Sequence, residues 1–217
     1  MNFEIARNVM VENQLRPNRI TDSIIIDILN ETPKEDFLTD DLKYIAYSDE
    51  DIELINKRGY LKNLHIAQLL QYSNITKKDK ILHIGGLSGY VTSILSKLSN
   101  NVIVIENNDK LLNELKKNLK INNIENVEVI NCNLEFGYLK KHPYDIIFID
   151  CPIKSISNEI LNQLNPNYGK LIMIEKINEE LSKGIKITNI DNKFNKEILF
   201  DIFSKFTLFK EKDEFIF

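Results

Sequence analysis

The sequence predicts an α/β fold: a doubly wound, mostly parallel, Rossmann-like sheet, preceded by a helical extension. Three observations predict it. From Lys80 onward five short apolar runs alternate with helical segments: Ile81-Leu82-His83-Ile84, Val102-Ile103-Val104-Ile105, Val127-Glu128-Val129-Ile130, Ile146-Ile147-Phe148-Ile149 and Leu171-Ile172-Met173-Ile174. Near-continuous apolar strands of this kind belong to parallel sheets covered on both faces. The first run stops at Gly85-Gly86, and the second ends on a carboxylate, Glu106.

The elements follow in order. Phe3 to Leu15 reads as a helix with Ile5, Val9, Met10 and Val11 toward one side, interrupted at Pro17. Thr21 and Asp22 offer N-cap side chains to a second helix through Ile24, Ile25, Ile28 and Leu29. Thr32-Pro33 closes it, because a residue before proline is pushed out of the α region. A polar, acidic stretch from Asp36 to Glu53 carries Tyr44 and Tyr47, and Leu61 to Tyr72 reads as a helix on the spacing of Leu61, Leu64, Leu69 and Leu70. Val91 to Leu98, Leu111 to Leu119 and Ile156 to Leu164 are the helices between strands. Ile185-Lys186-Ile187, Ile198-Leu199-Phe200 and Phe215-Ile216-Phe217 read as terminal strands that include an antiparallel pair. With no repeat or linker, one domain is expected over 1–217, divided into a helical extension and cap region (1–75) and a ligand-binding α/β core (76–217).

Composition narrows the function classes. The chain has 217 residues, 43% hydrophobic and 28% charged, ordinary for a globular protein. A net charge of −4 creates no general attraction for nucleic acid or an anionic membrane. No apolar run approaches the roughly 20 residues of a membrane span, and Met1-Asn2-Phe3-Glu4 lacks the pattern of a signal peptide. Two cysteines, Cys132 and Cys151, make neither a disulfide framework nor a metal site, so the expected setting is the reducing cytoplasm.

Doubly wound sheets bind ligands beyond the carboxyl ends of their strands, where the strand order reverses. The first strand-helix turn, Gly85-Gly86-Leu87-Ser88-Gly89-Tyr90, allows tight geometry and close approach of a ligand to backbone amides. Leu87 occupies the second glycine place of a GxGxxG fingerprint, which argues against a dinucleotide. Glu106 stands 21 positions after Gly85, where a carboxylate can accept both vicinal hydroxyls of a ribose; the alternative is a solvated strand-end acid. Asp150 ends the fourth strand on the same rim, as a ligand contact or a helix cap, and Asn133, after Cys132, could meet an adenine edge. Neither a Ser/His/Asp nor a Cys/His constellation is present, nor a zinc ligand set.

Taken together, Ile84 to Tyr90, Val104-Ile105-Glu106, Pro143-Tyr144-Asp145, and Leu161-Asn162-Gln163-Leu164 with Gly169-Lys170-Leu171 resemble successive motifs of protein-L-isoaspartate O-methyltransferases. Ala6-Arg7-Asn8-Val9-Met10-Val11, Gln14, Arg16, Thr21, Asp22, Phe37, Ala46-Tyr47 and the terminal Phe215-Ile216-Phe217 resemble a bacterial branch of that family. The resemblance implies a class I methyltransferase fold with a seven-stranded sheet, S-adenosylmethionine as cofactor, and methylation of the α-carboxylate of isoaspartyl residues in damaged protein. It implies cofactor contacts at Gly85, Gly86, Ser88, Gly89, Tyr90, Glu106, Asn133 and Asp150. Two departures stand out. His83 replaces an acid of the strand before the loop, with Leu87 adding bulk, and no Ser or Thr lies between Lys57 and Ile66, where the family carries a Thr-Ile-Ser-type substrate motif.

Arg58 and Tyr60 sit where that substrate loop should be; Arg58 could clamp a carboxylate and Tyr60 wall the pocket, or they could be a surface arginine and a core tyrosine. Catalytic residues stay unassigned, because a carboxylate acceptor is anionic near neutral pH and needs alignment more than a base. The expected partner is a protein or peptide substrate, not nucleic acid or membrane, with the oligomeric state open. Two alternatives stand: a methyltransferase fold impaired in catalysis and acting as a binding or regulatory module, and, disfavoured by acidity, a nucleic-acid methyltransferase.

Overall fold

A computed structural model describes residues 2–209 of the chain. Its N-terminal part opens with helix α1 (Phe3–Met10), capped by the Asn2 side chain, which accepts the Ile5 N–H. The chain then widens through a π-turn at Val11–Leu15 and tightens into a 3₁₀ turn holding Pro17, which has no N–H to continue an α-helical ladder. Asp22 caps α2 (Ser23–Glu31) by accepting from Ile24 and Ile25. The acidic stretch carries two 3₁₀ turns and then a feature absent from the sequence reading, a hairpin of β1 (Ile52–Ile55) and β2 (Arg58–Tyr60). Its two-residue turn, Asn56-Lys57, has both residues at positive φ, the geometry that matches strand twist. Helix α3 (Asn63–Ser73) follows.

The body is one sheet of seven strands: β3 (Lys80–Ile84), β4 (Asn101–Glu106), β5 (Val127–Asn131), β6 (Ile146–Ile153), β7 (Asn167–Lys176), β8 (Ser182–Ile190) and β9 (Lys193–Ile202). Their order is β5-β4-β3-β6-β7-β8-β9. The first five are parallel, while β8 and β9 fold back as antiparallel neighbours, as the missing helix near the C-terminus predicts. Helices α4 (Tyr90–Leu98), α5 (Asp109–Ile121) and the single turn α6 (Asn158–Leu161) connect the parallel strands. The shortness of α6 departs from the expected Ile156–Leu164 helix. Backbone bonds from Tyr144 N–H to the Gln163 carbonyl and from Asn165 N–H to the Tyr144 carbonyl draw that segment into a bridge. Phe215-Ile216-Phe217 lies outside the described residues.

Apolar side chains of the N-terminal helices and of the sheet share one core: Met10, Leu15, Ile20 and Leu29 pack in the same cluster as Ile81, Leu82, Ile147 and Ile172. The residues that resemble the bacterial branch hold this docking together. Arg7 donates to Glu35 and to the Tyr47 hydroxyl, which itself donates to Glu35, and the Gln14 amide donates to the Tyr47 carbonyl.

The hairpin is fixed by close backbone approach at Gly59, which pairs with Glu53. A Cβ there would lie 2.0 Å from the Ile52 carbonyl oxygen and 2.8 Å from Glu53 Cα, both backbone atoms that cannot swing away. Gly59→Ala is therefore expected to break the β1–β2 pairing and cost about 1–3 kcal/mol or more in urea denaturation. A variant as stable as the parent would show that the hairpin does not pair this way in solution.

Candidate cofactor site

The strand order reverses between β3 and β6: the chain proceeds from β3 to β4 and β5 on one side, and from β6 to β7 on the other. The crevice outside their carboxyl ends is the expected ligand site of such a sheet. Gly85-Gly86-Leu87-Ser88-Gly89 leaves β3 there, Glu106 ends β4, and Asp150 lies in β6, which runs three residues beyond it. The fold thus brings the loop, Glu106 and Asp150 to one rim.

These groups are satisfied from within the chain. The Gly85 and Gly86 amides donate to the Ile105 carbonyl, and Gly89 N–H donates to the Gly86 carbonyl. Leu87, at φ 51, stands in the left-handed region that a leucine rarely adopts, and its amide donates to Glu106 at 3.0 Å. The Tyr60 hydroxyl lies 2.8 Å from Ser88 Oγ and accepts the Tyr90 N–H at 3.0 Å. Ser88 Oγ also donates to the Phe37 carbonyl. His83, fully buried, places Nδ1 2.9 Å from Thr92 and Nε2 3.1 Å from Asp150, bridging the crevice from β3 to β6. Asn133 is exposed and caps a 3₁₀ turn by accepting the Glu135 N–H, so it is the one predicted rim residue not drawn into this cluster.

Glu106 is the centre. It is 0% exposed, and Arg58 grips it with both terminal nitrogens, Nη1 to Oε1 at 2.8 Å and Nη2 to Oε2 at 2.7 Å. Asn107 and Asn108 N–H add two more bonds to Oε1. Burial works against the Arg58 charge, yet the bidentate carboxylate outweighs it and raises the guanidinium pKa further. Arg58 is thus a buried side chain directed at Glu106, and Tyr60 is a core residue bonded to the loop.

Above the loop, Leu208 covers Gly85: a Cβ on that glycine would lie 2.7 Å from Leu208 Cδ1 and 3.4 Å from Arg58 Nη2. In this arrangement the groups that would hold S-adenosylmethionine, the cofactor the fold implies, are engaged by Leu208 and Arg58. The face of Gly85 that a ligand would approach is covered, and the carboxylate that would take its ribose has no free acceptor. Among the described residues no group of three or more metal-ligating side chains stands together.

Sequence reasoning placed the loop, Glu106 and Asp150 on one rim of the sheet, but missed the Arg58–Glu106 pair, the hairpin that delivers it, Leu208, and a buried lysine behind the loop. Lys34 is 0% exposed; its ammonium donates to Asn63 Oδ1 at 2.9 Å and lies 5.6 Å and 5.5 Å from the Tyr60 and Tyr90 ring centres. Asn56 in a short run of Ile52 to Tyr60 was the available signal for the hairpin; nothing local marked the other features.

Comparison with known proteins agrees with this architecture. The family model for protein-L-isoaspartate(D-aspartate) O-methyltransferase matches residues 6–203. A protein-L-isoaspartate O-methyltransferase of Aliivibrio fischeri (strain ATCC 700601 / ES114) is 28% identical over 197 residues, 91% of this chain and 93% of the relative. One of Protochlamydia amoebophila (strain UWE25) is 30% identical over 164 residues, 76% of this chain and 78% of the relative. A solved structure of a protein-L-isoaspartate O-methyltransferase superposes with a TM-score of 0.79 at 21% identity, covering 93% of this chain and 65% of that one. With the motifs in order along a sheet of matching architecture, the chain belongs to the protein-L-isoaspartate(D-aspartate) O-methyltransferase family, whose members are S-adenosylmethionine-dependent protein carboxyl methyltransferases.

Proposed function

We propose that the chain is a carboxyl methyltransferase acting on isoaspartyl residues of protein, with the crevice between β3 and β6 as its reaction site. The observation that carries this reading is the family match over residues 6–203, which spans the N-terminal helices as well as the sheet. It favours methyl transfer over a fold kept only for binding. The acceptor in this reading is a carboxylate, anionic near neutral pH, so the reaction needs no general base on the rim. The protein's task is alignment, which can supply several kcal/mol of the barrier. The missing Ser or Thr between Lys57 and Ile66 bears on the acceptor: this chain would have to hold the peptide with groups other than the family's hydroxyls.

The test is transfer of labelled methyl from S-adenosylmethionine to an isoaspartyl peptide, with the matching aspartyl peptide as control. Base-labile incorporation into the isoaspartyl peptide alone is expected. Equal labelling of both peptides would overturn the acceptor. No labelling by a protein that binds S-adenosylhomocysteine would overturn isoaspartyl activity.

A further inference from the structure

We propose that Arg58 is an internal latch on the cofactor site: its guanidinium stands in for the ribose diol on Glu106, and cofactor enters only after it leaves. This rests on the family reading of Glu106 as the ribose carboxylate. A carboxylate offers about four lone-pair positions. Glu106 already accepts from Arg58 Nη1, Arg58 Nη2, Leu87, Asn107 and Asn108. A ribose diol presents a fork of two donors, as the guanidinium does, so the two compete for the same oxygens.

Arg58 is also the part of this cluster that can move. The Leu87, Asn107 and Asn108 amides belong to the loop and the end of β4, whereas Arg58 is delivered by the β1–β2 hairpin, a two-stranded sheet separate from the main one. A lone hairpin is marginal without other packing. Its packing includes a strap from the C-terminal segment: Thr207 N–H donates to the Lys57 carbonyl, Leu208 N–H to the Pro152 carbonyl, and Ser204 Oγ to Asp51. Leu208, on that strap, is the side chain over Gly85. Hairpin and strap are therefore tied at Lys57, one residue from the latch. The pair is imperfect as well. Arg58 Nε is buried without a hydrogen-bond partner, so part of the guanidinium's desolvation is uncompensated and release restores it to water.

The experiment is calorimetric titration of the full chain with S-adenosylhomocysteine, comparing the parent, Arg58→Ala, Leu208→Ala and Arg58→Ala/Glu106→Gln, each checked for folding by circular dichroism. Arg58→Ala is expected to bind about tenfold tighter or more, because the competent state no longer has to be opened. The gain should vanish in the double variant, and Leu208→Ala should move affinity in the same direction by less. A parent that binds as tightly as a folded Arg58→Ala would overturn the latch. If Arg58→Ala does not fold, Leu208→Ala and a crystal structure of the parent with S-adenosylhomocysteine decide. Arg58 displaced from Glu106 in the complex supports the latch, and Arg58 still paired there overturns it. The outcome separates from the proposed activity. An opened variant that binds S-adenosylhomocysteine but methylates no isoaspartyl peptide leaves the latch standing and removes the acceptor. A parent that methylates without any gain from Arg58→Ala does the reverse.

Discussion

Glu106→Ala is expected to cost about 3–5 kcal/mol of unfolding free energy, the range for removing one partner of a buried ion pair. The substitution strands the Arg58 guanidinium, whose side chain is only 10% exposed, along with the Leu87, Asn107 and Asn108 amides. Arg58→Met should cost less, since the carboxylate it leaves behind keeps those three amide donors. The double variant Arg58→Met/Glu106→Gln should be more stable than Glu106→Ala, because it removes both charges while Gln retains an oxygen for the amides. Urea denaturation at neutral pH measures all three. A loss below about 1 kcal/mol for Glu106→Ala would place the pair in the exposed class and mean that it is not buried in solution.

The parallel sheet was legible because burial on two faces writes apolar runs directly into the sequence, and each run from Ile81 to Ile174 became a strand. The rim was legible because glycines and a strand-end carboxylate have few reasons to recur at that spacing. The latch was not. Arg58 and Glu106 are 48 residues apart, and a pair made across the fold leaves no local pattern. The hairpin that carries Arg58 is disguised by Lys57, which adopts positive φ where a glycine would have announced the turn. Lys34 looked like one lysine among many in a lysine-rich chain. Its burial follows from Tyr47, whose hydroxyl accepts the Lys34 N–H, and from the loop tyrosines that close over its ammonium.

Lys34 gives the protein an unusual stability profile. Burial drives its pKa down from 10.5 to about 7, with the distant Asp51 charge working weakly against the shift. Around the ammonium stand the Asn63 side chain, the Leu61 carbonyl and the faces of Tyr60 and Tyr90, none of which supplies a countercharge. Above pH 7 the folded chain releases this proton while the unfolded chain keeps it up to about pH 10.4, so stability rises with pH at up to about 1.4 kcal/mol per unit. The rise has an upper limit. Cys151, Tyr60 and Tyr90 have pKa values pushed up by burial, so the unfolded chain loses those protons first, beginning near pH 8.5 with cysteine. His65, lowered by burial, acts earlier and has largely finished titrating in the unfolded state by pH 7.5. Between pH 7 and 8.5 the parent is therefore expected to gain about 1 kcal/mol, and Lys34→Met should stay flat or fall slightly over the same interval, as Cys132 and Cys151 begin to ionise in the unfolded chain. Urea midpoints at pH 7.0, 7.75 and 8.5 for both proteins make the comparison. Parallel curves would mean that Lys34 keeps its charge against the tyrosine faces; a gain confined to the parent would tie the stability of the Tyr60–Ser88–Tyr90 loop wall to one deprotonated lysine.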